Sequence, residues 1–117
     1  MIKIRRIYDP EETGEFYKVF IDRLWPRGIS KKKAGWNEWM KDISPSNDLR
    51  KWYNHDPARW MEFKQLYKNE LIQKQNELKK LKQLEIKYGT LTLLYSSREE
   101  KYNNAVALRE FLMEQTI

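Results

Sequence analysis

Apolar residues change their spacing several times along this chain, and each change marks an element. Residues 2–7, Ile-Lys-Ile-Arg-Arg-Ile, begin by alternating apolar and charged positions, which is the pattern of a half-buried strand at the edge of a sheet. Lys3, Arg5 and Arg6 are read as the charges that guard this edge against pairing with another chain. Val19, Phe20 and Ile21 then run without a polar gap, as do Leu91 to Tyr95 apart from Thr92. Continuous β-prone runs of this length suit strands covered on both faces, so these two are expected to be the central strands.

Between them the spacing is helical. Trp36, Trp39, Met40 and Ile43 predict a short helix ending near Ser44-Pro45, because the residue before proline disfavours helix. Ser46 or Asn47 caps a second short helix carrying Leu49, Trp52 and Tyr53. Asp56-Pro57 stops that helix and opens another, since aspartate caps and proline is comfortable at the first helical position. Trp60, Phe63, Tyr67 and Leu71 form the stripe of this helix. After a polar break at Gln73–Asn76 the stripe resumes at Leu78, Leu81 and Leu84 and ends near Gly89. Ser97 with Glu100 reads as a capping box for a last helix striped by Ala105, Leu108 and Leu112.

Together these elements predict a single α/β domain over residues 1–117. Its sheet is expected to have three strands, two central and one at the edge, mainly parallel and flanked by about five helices. More than sixty residues separate the two central strands, room for a right-handed crossover that leaves them parallel.

Composition narrows the chemistry. The 117 residues contain no Cys and one His, which excludes thiolate catalysis, disulfides and a cysteine metal site and argues against a protein-only zinc site; no metal or cofactor is expected. No apolar run reaches membrane length and the first residues lack a signal-peptide pattern, so the expected location is the cytoplasm. A net charge of +6, from 23 Lys and Arg against 17 Asp and Glu, favours anionic partners. Acidic residues interspersed among the basic ones make an ordinary solvated surface the plainer account of it.

The candidate site follows the first central strand. There Asp22-Arg-Leu-Trp-Pro-Arg-Gly28 loads charge, a large aromatic and two turn-forming residues onto one loop. Ligands of open α/β sheets bind at the carboxyl ends of central strands, and adjacent parallel strands would set this loop beside Tyr95, Ser96, Ser97 and Arg98. Arg23, Arg27 and Arg98 are candidates to hold an anion through their planar guanidinium forks, while Arg23 paired with Asp22 or capping carbonyls is the plainer reading. His55 beside Asp56 has the composition of an oriented general base, although the helix start alone explains Asp56-Pro57.

Several segments resemble the YeaO-like family, within the group known as domain of unknown function 488. They are Ile4–Asp9, Tyr17–Gly28 ending in Asp-Arg-Leu-Trp-Pro-Arg-Gly, Pro45-Ser46, Leu49–Trp52, His55–Pro57, Thr92–Tyr95 and Asn103–Ala105. The resemblance runs nearly end to end and implies a small α/β domain with no established reaction. More distant members of the group look as if they carry Asp-Val-Arg after the second strand and a motif ending in Cys-His-Arg after the third. Asp22-Arg23 stands near the first, and Ser96–Asn104 replaces the second, with Tyr102 where many relatives have His and Glu99 where Asp is frequent. Thiol chemistry does not transfer to this chain. The resemblance leaves a ligand pocket with Arg23, Arg27, Tyr95, Arg98 and Asn103 around it.

Two functions are therefore expected in competition. In the first, a small anionic or nucleotide-like molecule sits at the strand ends and is bound or turned over. Trp25 or Tyr95 would stack its ring, the arginines, Ser97 and Asn103 would hold it, and Asp22, Arg23 or His55 would carry any catalysis. In the second, Lys31–Lys33 and the basic run Lys74, Lys79, Lys80, Lys82 and Lys87 bind nucleic acid or an acidic partner. A protein-interaction domain whose aromatics are all core is the third. Nothing in the pattern fixes the oligomeric state.

Overall fold

The computed structural model describes residues 1–114. Four strands form one sheet: β1 (Ile2–Arg6), β2 (Lys18–Phe20), β3 (Glu38–Trp39) and β4 (Leu91–Tyr95). Their order is β1-β4-β2-β3 and every neighbouring pair is parallel. The two apolar runs are thus the central strands. Lys3 and Lys18 both align with Thr92 across β4, so the carboxyl ends of β2 and β4 emerge side by side.

Four α-helices accompany the sheet among the described residues: α1 (Asn47–Tyr53), α2 (Trp60–Leu71), α3 (Gln75–Tyr88) and α4 (Asn104–Glu114). Ser46 caps α1, its hydroxyl accepting from the Leu49 amide at 3.2 Å. Asp56 and Pro57 open a single 3₁₀ turn that runs into α2. The polar break separates α2 from α3 as the pattern predicts, and Gly89, at φ 77°, closes α3.

Side chains of the strands alternate between two unlike cores. Val19, Leu91, Leu93 and Tyr95 join the larger one with residues from all four helices, such as Leu49, Phe63, Tyr67, Leu78, Leu81 and Leu108. Phe20 and Leu94, pointing the other way, join Ile7, Ile29, Trp36 and Trp39. Among the described residues no helix contributes to this second cluster. Its cover is a Trp-bearing loop, with the Trp36 ring stacked on Phe20 at 4.8 Å.

Three expectations are corrected by this architecture. Residues 36–43 do not form a helix: Glu38–Trp39 make a fourth strand paired to β2, followed by a 3₁₀ turn at Lys41–Ile43. Backbone pairing of Asn37 to Lys18 and of Met40 to Phe20 wins over helical spacing, because Trp36 and Trp39 then reach Phe20 from the sheet edge. Among the described residues the sheet therefore has four strands and the α-helices number four.

The capping box at Ser97 and Glu100 is also absent. Residues 97–103 wrap around Glu99, whose carboxylate accepts the Lys101 and Tyr102 amides at 2.8 and 3.2 Å. Asn103 does the capping instead, its Oδ1 accepting from the Val106 amide at 3.0 Å, so α4 starts seven residues beyond Ser97.

Arg5 is not an edge guard. It is buried in a two-pronged ion pair with Glu15, Nε to Oε2 at 2.6 Å and Nη2 to Oε1 at 3.1 Å, and also donates to the Asp9 carbonyl. The pair ties the 9–15 loop across the face of Phe20 and Leu94.

Candidate functional site

β2 leaves the sheet through Ile21, whose amide still donates to the Leu94 carbonyl at 3.1 Å. Asp22 follows and its carboxylate joins three segments. Oδ2 accepts from the Ser96 amide at 2.9 Å and from the Ser96 hydroxyl at 2.5 Å, and Oδ1 accepts from the Asn104 side chain at 3.0 Å. One carboxylate thus clamps the end of β2 to the end of β4 and the start of α4.

The loop after Asp22 is fixed by its aromatics. Trp39 donates its indole N–H to the Asp22 carbonyl at 2.6 Å, and Trp25 donates its own to the Ile29 carbonyl at 2.6 Å. Trp25 meets Trp36 and Trp39 edge-on at 5.0 and 5.6 Å. Gly28, at φ 80°, supplies the left-handed residue that turns the chain back. Tyr8 reaches over from the end of β1 and donates to the Arg27 carbonyl at 2.7 Å.

Arg23 points beneath this loop. Its Nη2 lies 3.5 and 3.4 Å from the Ser44 and Pro45 carbonyls, and its Nε is buried without a hydrogen-bond partner among the described residues. Lys74 donates to the Asp42 and Ser44 carbonyls from the far side. Burial, and then repulsion from Arg23, push the Lys74 ammonium below the ordinary lysine range. Tyr67 donates to the neighbouring Ile43 carbonyl at 2.6 Å, and Glu70 accepts from the Ser46 amide and hydroxyl at 2.8 and 2.6 Å. The turn from Asp42 to Ser46 is thereby held rigidly against the cavity wall.

A cavity of about 330 Å³ opens among these elements, within the size range of small-molecule sites. Asp22, Arg23, Trp25, Arg27, His55, Ser97 and Asn103, seven of the nine residues singled out from the sequence, line it. The other two lie outside. Tyr95 shares the face of Leu91 and Leu93, is 4% exposed and belongs to the helix-covered core; Arg98 is exposed on the loop around Glu99 and does not line the cavity.

Sequence reasoning missed a wall. Arg50 and Tyr53 of α1 line the cavity with His55, and Tyr8 and Asn104 join them, as does Ser96, which the sequence already sets beside the loop. The signal was there for α1: residues three apart share a helix face, so a helix that delivers His55 to the strand ends brings Tyr53 and Arg50 too. Tyr53 donates to the Tyr102 carbonyl at 2.7 Å. Its hydroxyl is pushed up to about 12, chiefly by burial and further by the charges of Glu99 and Asp56, so it stays a neutral donor.

Chemically the lining is cationic, with Arg23, Arg27 and Arg50 against a single carboxylate that already accepts three hydrogen bonds. Among the described residues no group of His, Asp and Glu is arranged to hold a metal ion.

The model of the DUF488-N3i family, described as the inactive DUF488-N3 subclade, matches residues 1–117. The uncharacterised protein YeaO of Escherichia coli (strain K12) is 40% identical over 111 residues, 95% of this chain and 96% of YeaO. The uncharacterised proteins Mb3100c of Mycobacterium bovis and Rv3073c of Mycobacterium tuberculosis are each 39% identical over 70 residues, 60% of this chain and 59% of theirs. No solved structure matches. With the motif residues of the strand-end loop in place and the family model matched from end to end, the chain belongs to the YeaO-like DUF488 group, in its inactive DUF488-N3 subclade.

Proposed function

We propose that this protein binds an anionic small molecule in the cavity at the carboxyl ends of β2 and β4, and holds it without turning it over. The observation that carries the reading is the excess of guanidinium over carboxylate around one cavity, a composition suited to phosphate or carboxylate. Trp25, fixed in its aromatic cluster, offers a ring face or edge to a planar ligand. The lack of turnover is supported by the engagement of Asp22 with Ser96 and Asn104, by the absence of Cys, and by the description of the family as inactive. The same absence of Cys fits a reducing compartment, the cytoplasm. No helix among the described residues is long and apolar enough to cross a membrane.

The competing nucleic-acid reading relies on lysines that are partly engaged within the fold. Lys74 holds backbone carbonyls, Lys80 pairs with Glu38, and Lys82 pairs with Glu85.

A thermal-shift titration with nucleotides and phosphorylated metabolites, at two salt concentrations, tests the proposal. A ligand at a hundredfold excess over its dissociation constant adds about 2.7 kcal/mol of stability. The expected result is a salt-tolerant rise in melting temperature that is reduced in Arg50→Ala, a better probe than Arg23 because Arg50 is exposed and, among the described residues, its side chain makes only a long contact to Asn47. No rise with any compound, or a rise that vanishes with modest salt and is unchanged in Arg50→Ala, overturns it.

A further inference from the structure

The chain between α1 and the turn leading into α2 carries the backbone's least comfortable residues. Among the described residues, the non-glycine positions with positive φ are Asn54, at 47°, and His55, at 54°. Asn54 has a structural reason for this. It is the left-handed cap of α1, with its amide bonded to the Arg50 carbonyl at 3.0 Å, and asparagine adopts that conformation readily. His55 is the second central residue of the tight turn Tyr53–Asp56, closed by the Asp56 amide donating to the Tyr53 carbonyl at 3.0 Å, and positive φ at both central positions is what a turn of this hand requires. Turns of this kind most often place glycine, asparagine or aspartate there, so the turn accounts for the backbone but not for the choice of an imidazole.

What the conformation achieves is to put the imidazole at the cavity. His55 is exposed, lines the cavity beside Arg50 and Tyr53, and makes no side-chain hydrogen bond among the described residues. Asp56 does not orient it, because the Asp56 carboxylate accepts from the Ala58 amide at 3.0 Å and lies 3.7 Å from Arg59. The imidazole is therefore a free donor beside an arginine, on the rim of a cavity whose three guanidinium groups outnumber its one carboxylate by two. An excess of two positive charges matches a phosphate monoester, which carries about −1.5 to −2 near neutrality, better than a single carboxylate.

We propose that the ligand of this cavity is a phosphate monoester and that His55 is one of its contacts, carried there by the tight turn that links α1 to the start of α2. The inference rests on the anion-binding reading and sharpens it.

Calorimetric titration of the full chain with phenyl phosphate and with benzoate, together with melting curves without ligand, tests it. Wild type is expected to bind phenyl phosphate about tenfold or more tightly than benzoate. His55→Gly and His55→Asn, both compatible with positive φ, are expected to melt no lower than wild type and to lose about tenfold in phenyl phosphate affinity. Asn54→Gly, which touches only the backbone, keeps it. Phenyl phosphate binding that is unchanged in both His55 variants overturns the contact, as does a lower melting temperature in both, which would mean the imidazole is structural. Benzoate bound as tightly as phenyl phosphate overturns the ligand class alone and leaves anion binding standing. If neither probe binds wild type while the His55 variants fold normally, both this inference and the anion-binding reading are overturned.

Discussion

On one face of the sheet, Val19, Leu91 and Leu93 lie under residues from four helices; on the other, Phe20 and Leu94 lie under Trp36 and Trp39 on loop and edge strand, with the Arg5–Glu15 pair beside them. The first face is closed by area, through many interchangeable apolar contacts. The second is closed by a few specific ones: a stacked ring, two indole hydrogen bonds and one buried ion pair. The difference explains where the site lies. Trp25, anchored in the aromatic cluster of the second face, also lines the cavity, so the loops that close this face are the ones that hold the cavity wall still.

If the loop-covered face depends on specific contacts, losing one member of its ion pair should have the largest effect. Glu15→Ala leaves the Arg5 guanidinium buried and uncompensated and is expected to cost about 3–5 kcal/mol by urea unfolding. Replacing both residues by Met and Leu should recover most of that. A single variant costing less than about 1 kcal/mol would mean the pair is solvated in practice and would break the contrast.

Next comes the helix-covered face, where Leu93, fully buried, is expected to cost about 2–5 kcal/mol on change to Ala. Because this core is built by area, a volume-preserving change to Met or Ile should cost less than about 1.5 kcal/mol. An equal loss for Leu93→Ile would mean this face is as shape-specific as the other.

Asp22→Asn probes the joint between strand ends. One amide can no longer accept from the Ser96 amide and hydroxyl and from Asn104 together, and an orphaned buried partner costs about 1–3 kcal/mol. Ligand affinity should fall as the Ser96–Ser97 segment loosens. Full affinity with reduced stability would separate the clamp from the site.

The smallest effect appears only at alkaline pH, and it belongs to the helix-covered face. Burial raises the Tyr53 hydroxyl to about 12 and lifts Tyr67 well above its ordinary value. From pH 10 upward the unfolded chain loses protons that the native chain keeps. The native state then binds more protons, and stability falls as pH climbs toward 12. Unfolding midpoints measured between these limits should drop less steeply in Tyr53→Phe; an identical slope would show that other groups govern the alkaline loss.

How much of this was legible in the sequence depends on how local its cause is. The central strands could be read because Val19–Ile21 and Leu91–Tyr95 are apolar on both parities, a property each segment carries by itself. The stretch from Trp36 to Ile43 could not, because its apolar spacing fits a helix equally well and the deciding hydrogen bonds come from Lys18 and Phe20. Arg5 was misread for the same reason, since its partner Glu15 arrives from a loop with no regular pattern. Most of the candidate site followed from two adjacent parallel strands. Tyr95 did not, although its parity with Leu91 and Leu93 already assigned it to the core, and Arg98 was lost because Glu99 folds the loop around itself.

The strand order carries a consequence for how the chain comes together. β1 and β2 do not pair with one another; both pair with β4, about ninety and seventy residues later. A nascent chain that has not yet reached Leu91 holds β1 and β2 with no strand to join them, and an aromatic cluster around Phe20 that still lacks Leu94. Contacts this distant in sequence slow folding and prolong the exposure of sticky edges. Synthesis of the last quarter of the chain should therefore be the moment at which the whole fold forms, and fragments ending before β4 should be captured by chaperones or aggregate rather than persist as a folded half.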